Sequence, residues 1–330
     1  MKKETYLTVL VGVLVISLIV TNVYWITTRP KSKVQKLNLA YQVGFHYGPS
    51  IIMDYLNLIE ENSGGRFQGS FFKISGGATI NEAIVAGSID FAQMGTAPAI
   101  IGVDQGIGTK ILASFGSKEH ELWTWRTDIQ SIADFQEGDL VNVVQVNSIE
   151  QVGLIKAYID LGRTKDEADA ISVFFSHSDA FPMMEQDEPP IDAHFTGVPY
   201  TLLYAENPER YHKVASDTSI WGLPLAGGAF IGRTSLESEV IDIVLESFVE
   251  AIEWIKNNPE EASRVIGEVY EYEESEAWEL WQELGITWGP AIGLDVVETQ
   301  AGVMYDIGLV SQQLTTEDLL FPQAIELMEG

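Results

Sequence analysis

The chain has 330 residues, a net charge of −29 from 19 Lys and Arg against 48 Asp and Glu, and no cysteine. This length suffices for two domains with buried cores, and a hydrophobic fraction of 46% excludes a wholly disordered chain. The lack of cysteine excludes disulfides, thiolate metal sites and a cysteine nucleophile. The acidity argues against a nucleic-acid partner, because phosphate binding needs a basic surface.

The first 36 residues predict a membrane anchor and a tether. Lys2 and Lys3 precede a largely apolar run at residues 6–26, which is long enough to cross a bilayer as a helix at about 1.5 Å per residue. The run ends in aromatic residues and lacks the small-residue cleavage site of a signal peptide. We therefore expect an uncleaved signal anchor that holds the body on the outer face of the cytoplasmic membrane. A cleaved signal and a secreted protein are the alternative.

The body then alternates strand and helix patterns. Helical spacing of apolar residues covers 51–59, and Thr79 and Glu82 fit a capping box for a helix to residue 86 that Gly87 terminates. Short apolar runs predict strands at 37–41, 71–74, 89–94, 110–115 and 122–125. This alternation predicts a parallel sheet covered on both faces by helices.

A second unit of the same kind begins near residue 126. Ser148 and Gln151 fit a capping box for a helix to about residue 160, and Ser178 opens a short helix. Strands are predicted at 140–146, 171–175, 191–195 and 214–216, and the chain is mostly helical from residue 237. We therefore predict an α/β protein with two Rossmann-like domains. The first consists of residues 37–125 with 226–330, and the second of residues 126–225.

Two segments of the chain echo each other. Residues 89–98 and residues 191–199 both end a strand in a turn of Gly, Thr and Pro and then open a helix. Two such units present the carboxyl ends of their strands and the N-termini of their helices toward one cleft. The echo therefore predicts that ligand-binding loops face each other across the two domains.

These motifs resemble the NMT1/THI5-like family, the nitrate, sulfonate, taurine and thiamine-precursor binding proteins of ABC importers. The resemblance rests on Gly76-Gly77-Ala78, on residues 41–49 and 82–98, and on residues 191–200. It implies a type II periplasmic-binding-protein fold, in which two α/β domains joined by a two-strand hinge close over a small molecule. It also implies no catalytic residue and no cofactor.

The candidate ligand-binding residues lie mainly in loops at strand ends, where helix N-termini present free backbone N–H groups. Gly76 and Gly77 permit a close approach of the backbone, and Thr96 can donate from its hydroxyl. The predicted set is Gln42, His46, Tyr47, Gly76, Gly77, Thr96, Ala97, Asn147, Ser148, His177, Thr196, Tyr200 and Trp221.

The sequence predicts neither a metal site nor a concentration of acidic residues in these loops. His177 near Asp179 and His194 near Asp192 have neither helical i,i+4 spacing nor a third ligand nearby, so no metal site is expected. After Arg264 the chain carries 14 acidic residues and no Lys or Arg. We expect this acidity on a solvated surface outside the ligand loops.

The sequence thus predicts a monomeric extracytoplasmic receptor that binds a small solute and delivers it to an ABC permease. The ligand is left open between a nitrate, sulfonate or taurine and a thiamine-type pyrimidine or other nitrogen heterocycle. A TRAP-type (TAXI-like) receptor and a ligand sensor for a membrane kinase are alternatives with the same fold. A thiamine-pyrimidine-forming enzyme is a further alternative, but the first loops hold no Lys for a pyridoxal cofactor.

Overall fold

Two five-stranded sheets organise the computed structural model, which describes residues 34–116, 119–222, 225 and 228–329. The first sheet has the strand order β2-β1-β3-β10-β4 and the second the order β7-β6-β8-β5-β9. The strands are β1 (Gln35–Tyr41), β2 (Phe67–Lys73), β3 (Phe91–Met94), β4 (Thr109–Ser114), β5 (Glu121–Thr124), β6 (Val141–Asn142), β7 (Ser172–Val173), β8 (Ala193–Thr196), β9 (His212–Ser216) and β10 (Ala229–Arg233). The predicted α/β class with two sheets is confirmed.

Each sheet is mixed, whereas the alternation of strands and helices predicted wholly parallel sheets. β1 pairs in parallel with β3, and β6 pairs in parallel with β7 and β8. β10 is antiparallel to both β3 and β4, and β5 is antiparallel to both β8 and β9. The reason is that the chain changes sheets immediately before β5 and again before β10, and each arriving strand enters its new sheet in the reverse direction.

The two crossings run from β4 to β5 and from β9 to β10. β5 pairs with the second sheet, so the first crossing precedes residue 121, upstream of the domain boundary expected after residue 125. Residues from Lys36 onward form one compact unit. We call the first sheet with its flanking helices the first lobe and the second sheet with its flanking helices the second lobe.

Helices cover both sheets. The first lobe holds α1 (Gly48–Tyr55), α2 (Leu58–Asn62), α3 (Gly77–Val85), α4 (Thr96–Asp104), α10 (Ser238–Asn257), α11 (Pro259–Val269), α12 (Glu274–Leu284), α13 (Val297–Asp306), α14 (Thr316–Leu319) and α15 (Pro322–Glu329). The second lobe holds α5 (Ile149–Asp160), α6 (Lys165–Ile171), α7 (His177–Met184), α8 (Tyr200–Ala205) and α9 (Asp217–Trp221). Short 3₁₀ helices span Phe45–Tyr47, Ile132–Asp134 and Leu294–Val296. α4 contacts α5, so the lobes touch.

Several predicted element bounds are corrected. α3 begins at Gly77 with Gly76 as its N-cap, so Thr79 lies inside the helix and does not cap it. The helix can start at residue 77 because glycine has no side chain there and packs directly against Pro98. A Cβ on residue 77 would lie only 2.5 Å from the Pro98 Cγ. The helix predicted at 51–59 is broken at Asn57, whose φ of 55° is left-handed. The strand predicted at 140–146 is only two residues long.

The membrane helix predicted at residues 6–26 lies outside the described residues. Within the part of the chain that the structure describes, no helix has the length and apolar character needed to cross a bilayer. The acidic residues of α12 and of the turn before it are exposed, as expected of a solvated surface.

The core of the first lobe is built where α10 packs on its sheet. The ring of Phe248 on α10 stacks on that of Phe230 on β10, with centroids 4.1 Å apart and planes 4° apart. Phe248 also meets Phe115 edge to face at 6.4 Å. All three rings are fully buried. This aromatic cluster therefore anchors the C-terminal helices to the strand that returns from the second lobe.

The change Phe248→Ala should lower the free energy of unfolding by about 3–5 kcal/mol, because it leaves a cavity beside a stacked ring. Urea denaturation measures this. The matched change Glu246→Ala, on the exposed side of the same helix, should shift it by only about 0.5 kcal/mol or less. Equal effects of the two changes would contradict this packing.

Candidate functional site

Four of the five histidines of the chain gather around one buried glutamate. They come from separate segments: the loop after β1, the crossing before β5, the first residue of α7 and the middle of β8. The glutamate is the second residue of α5. We call His46, His120, Glu150, His177 and His194 the histidine–glutamate cluster. One member belongs to the first lobe and three to the second, and His120 lies in the crossing.

Glu150 is at the centre of the cluster. It is only 3% exposed, and its Oε1 lies 3.4 Å from the His177 Nε2 and 3.8 Å from the His120 Nε2. Burial alone would raise its pKa, but hydrogen bonding to His177 and the charge of His120, with help from the Ser148 hydroxyl, hold the pKa at about 2. The carboxylate is therefore ionised across the physiological range.

Asp217 holds His120 in place. Its Oδ2 lies 2.8 Å from the His120 Nδ1 and also accepts the backbone N–H of His120 at 2.9 Å. The backbone N–H of Asp217 donates in return to the His120 carbonyl. Burial alone would lower the pKa of His120, but Asp217, with a smaller contribution from Glu150, raises it to about 9. His120 is thus an imidazolium that partly balances two carboxylates.

A second chain of contacts extends the cluster through β8. The His177 Nδ1 lies 3.0 Å from the His194 Nε2 and 3.1 Å from the Thr196 Oγ1. The other ring nitrogen of His194, Nδ1, lies 2.8 Å from the Tyr204 hydroxyl. Burial lowers the pKa of His194 well below its ordinary value, so this ring is neutral. Tyr200 packs beside both rings, with centroids 6.0 and 6.1 Å away.

The first-lobe member of the cluster, His46, is packed among aromatic rings of its own lobe. His46 packs against Tyr47 at 4.2 Å and stacks near Phe115 at 6.3 Å. Burial, with smaller contributions from His120 and His177, lowers the pKa of His46 to about 3. A neutral imidazole from one lobe therefore faces an ionised carboxylate of the other.

Gln42, another first-lobe candidate, joins two loops. The Gln42 Oε1 accepts hydrogen bonds from the Tyr47 hydroxyl at 3.0 Å and from the Gly95 N–H at 2.8 Å. Gly95 caps α4, and Thr96 follows with a buried hydroxyl that makes no hydrogen bond. Ala97 is fully buried in the core. Gln42 thus fixes the loops after β1 and β3 relative to each other.

The lobes also meet at Gly76. Its φ of 100° is unfavourable for a side chain, and a Cβ there would lie 2.0 Å from the Gln145 Oε1 of the second lobe. Gly77 is the next residue and packs on Pro98 rather than facing the cluster. Of this glycine pair, Gly76 is therefore the one placed opposite the other lobe.

The turn before α5 uses the next candidates. Asn147 adopts a left-handed φ of 59°, and Ser148 is the N-cap that accepts the Gln151 N–H. The Gln151 side chain accepts the N–H of Asn147 and not that of Ser148, so only half of the predicted capping box forms. Trp221 lies against Gly153 of α5, and its Nε1 makes no hydrogen bond.

The structure thus brings His46, Tyr47, Ser148, His177, Thr196 and Tyr200 to the cluster or into contact with its members. His120, Glu150, His194 and Asp217 were not among the predicted site residues, and the acidity was expected outside the site. The sequence pairs His177 and His194 with nearby aspartates, whereas in the structure they pair with each other. The one sequence feature that could have pointed to these residues is that the chain has only five histidines. Within the described residues, no group of three or more His, Asp or Glu is placed to hold a metal ion.

Chemically, the arrangement can hold a small polar group. It supplies one ionised carboxylate, one imidazolium, two neutral imidazoles and several hydroxyls, in buried or half-buried positions. The pKa of Tyr200 is raised to about 12 by burial, so its hydroxyl stays protonated. Hydrogen bonds between buried groups are stronger than in water.

Comparisons with solved structures identify the fold. The alkanesulfonate-binding protein SsuA of Xanthomonas axonopodis, bound to MOPS, matches with a TM-score of 0.68 at 15% identity, over 88% of this chain and 99% of its own. The nitrate-binding protein NrtA of Synechocystis PCC 6803 matches with a TM-score of 0.63 at 12% identity, over 90% and 86%. A Candida albicans protein of the generic periplasmic binding protein fold, the CA3427 gene product, matches with a TM-score of 0.63 at 13% identity, over 90% and 95%.

No protein-family model and no curated sequence matches the chain. The structural matches establish a periplasmic-binding-protein fold. The narrower resemblance to NMT1/THI5-like proteins stays a prediction.

The His120–Asp217 pair predicts a pH dependence of stability. The folded-state pKa of His120 is raised to about 9 from its ordinary 6.5, so the pair stabilises fully below pH 6.5 and loses its contribution as the pH rises through 9. We expect a loss of about 1–3 kcal/mol over this interval, measured by urea denaturation at a series of pH values.

The change Asp217→Asn should flatten this dependence and lower the pKa of His120 in an NMR titration. The change Asp187→Asn removes the same charge from an exposed site of the second lobe and should leave the slope intact. A wild-type stability that is constant between pH 6.5 and 9 would contradict the pair.

Proposed function

We propose that the protein is an extracytoplasmic solute receptor that binds a small molecule between its lobes and delivers it to an ABC importer. The observation that carries this proposal is the histidine–glutamate cluster, to which both lobes contribute ionisable groups buried at strand ends. Such loops at the carboxyl ends of strands are where open α/β folds bind ligands. The fold shared with SsuA and NrtA supports the same role.

Ligand entry requires the lobes to separate. Glu150 is 3% exposed and His194 fully buried, and His46 of the first lobe faces this region of the second. The two crossings on either side of the second lobe suit a hinge that opens and closes. Ligand binding would then shift the population toward the closed form, which the membrane subunits recognise.

The proposed organisation follows the sequence prediction. Residues 1–36 anchor and tether the chain at the outer face of the cytoplasmic membrane. The predicted division into residues 37–125 with 226–330 and residues 126–225 is kept except at β5, which pairs with the second sheet and so moves the boundary to before residue 121. The receptor acts as a monomer and has no catalytic function. A TRAP-type receptor or a kinase sensor would use the same lobes with another membrane partner, which copurification with the neighbouring gene products distinguishes.

The proposed ligand is a small polar molecule of one of two classes. A nitrate, sulfonate or taurine would meet the His120 imidazolium and backbone N–H groups. A thiamine-type pyrimidine or other nitrogen heterocycle would meet Glu150 and the rings of His46 and Tyr200. The planar rings and the shortage of cationic side chains at the cluster support the heterocycle.

The proposal predicts that one small molecule stabilises the protein. Mass spectrometry of the material that acid releases from purified protein identifies a candidate, and a thermal-shift screen of both ligand classes tests it. A ligand at 100 times its Kd should stabilise the folded state by about 2.7 kcal/mol, which is readily measured. Absence of any released molecule together with absence of any shift would refute the receptor role.

The change His46→Ala should abolish the ligand-induced shift, because it removes the first-lobe ring that faces the cluster. The change His212→Ala serves as the control. His212 is the one histidine outside the cluster, and its Nε2 is bonded to the Ile129 carbonyl at 2.7 Å. Loss of the ligand-induced shift in both variants would indicate a general loss of structure rather than a lost ligand contact.

A further inference from the structure

One oxygen of the central carboxylate has no partner. The Glu150 Oε1 faces His120 and His177, but the Oε2 is buried and accepts no hydrogen bond. Leaving a buried acceptor of an ionised group unpaired is costly, so such atoms are rare in stable cores. The Oε2 of Glu150 is therefore an acceptor to which no donor among the described residues is bonded.

The buried carboxylates of the site have few ion-pair partners. Two buried carboxylates, Glu150 and Asp217, share the imidazolium of His120. Among the described residues, no Lys or Arg forms an ion pair with either of them. The rings of His46 and His194 are kept neutral by burial, which lowers the pKa of each. Among the described residues, the two carboxylates are therefore paired by histidine side chains alone.

The N-terminus of α3 could hold an anion, but a side chain of the other lobe obstructs it at Gly76. α3 begins at the strand end of the first lobe with no side-chain cap, the arrangement that commonly binds anionic groups. Here the side-chain amide of Gln145, from the second lobe, lies over Gly76 at the position of a Cβ. The chain therefore covers the first turn of α3 with its own uncharged amide.

From these three observations we infer that the ligand is an N–H-donating cation, a protonated amino-heterocycle or an amidinium, which donates to the Glu150 Oε2. This inference rests on the proposed receptor function and selects among its ligands. Glu150 is the specificity-determining residue, since its free oxygen accepts an N–H and repels a sulfonate, nitrate or carboxylate. A cation there pairs with the carboxylate oxygen that neither His120 nor His177 contacts.

The test uses the intact protein and three probes of one shape and different charge: benzamidine, benzamide and benzoate. Thermal shifts with these probes are compared with those from 4-aminopyridine, nitrate, methanesulfonate, taurine and Zn²⁺ alone. We expect benzamidine or 4-aminopyridine to give the largest shift, benzamide a smaller one, and the anions none. The molecule that acid releases from the purified protein should carry a protonatable nitrogen with N–H donors.

A larger shift from benzoate, nitrate or methanesulfonate than from either organic cation overturns the inference and leaves the receptor function standing. A shift with Zn²⁺ alone and not with the organic cations overturns it in favour of a metal ion. The inference is also overturned if neither benzamidine nor 4-aminopyridine shifts the melting temperature. If in addition no anion shifts the protein and no molecule is released, the receptor function fails with it.

The variant Glu150→Gln keeps the shape and removes the charge. It should weaken binding of the stabilising cation by about 10- to 100-fold, the range expected for a lost hydrogen bond to a charged group. The change Glu209→Gln removes the same charge from an exposed loop of the second lobe and should leave binding unchanged. Unchanged affinity in Glu150→Gln overturns the inference. Should that variant fail to fold, the wild-type comparison of benzamidine with benzoate decides the outcome.

Discussion

A buried carboxylate must find compensating charge and donors, and this requirement organises the site around Glu150. An ion of this kind is costly to remove from water unless partners surround it. His177 and His120 supply part of that compensation from outside α5, at 3.4 and 3.8 Å. Because each partner comes from a different segment, charge balance at Glu150 depends on the second sheet, the crossing before it and the helices at its strand ends all being in place.

The same requirement couples the site to the crossings between the lobes. His120 lies in the first crossing, and Asp217 opens α9 where the second crossing begins. Their mutual hydrogen bonds join the two crossings to each other, while the other ring nitrogen of His120, Nε2, lies 3.8 Å from the Glu150 Oε1. A movement of the crossings would therefore alter the charge balance at Glu150, and a cation bound at Glu150 would favour the arrangement in which the balance is complete.

Sequence periodicity predicted the two sheets, most of the helices and the location of the loops, because these depend on local patterns of apolar residues and turns. The antiparallel place of β5 and β10 was not predictable, since it depends on where the chain changes sheets. Six candidate side chains, including His46 and His177, lie at or beside the cluster. Glu150 was recognised only as part of a helix start, because its partners lie about 30 residues or more away in the sequence and only the fold brings them together.

The position of the acidic residues also gains meaning from the structure. The chain carries a net charge of −29, and the acids around α12 are exposed, so their field extends into the solvent, where it attracts cations and repels anions. Inside, Glu150 and Asp217 carry the same negative sign, and among the described residues no Lys or Arg forms an ion pair with either of them. The long-range field and the local site therefore both favour a positively charged ligand. A shared fold does not determine which ligand is bound, and the loops that carry the charge here can select a cation on the same scaffold that holds a sulfonate or nitrate elsewhere.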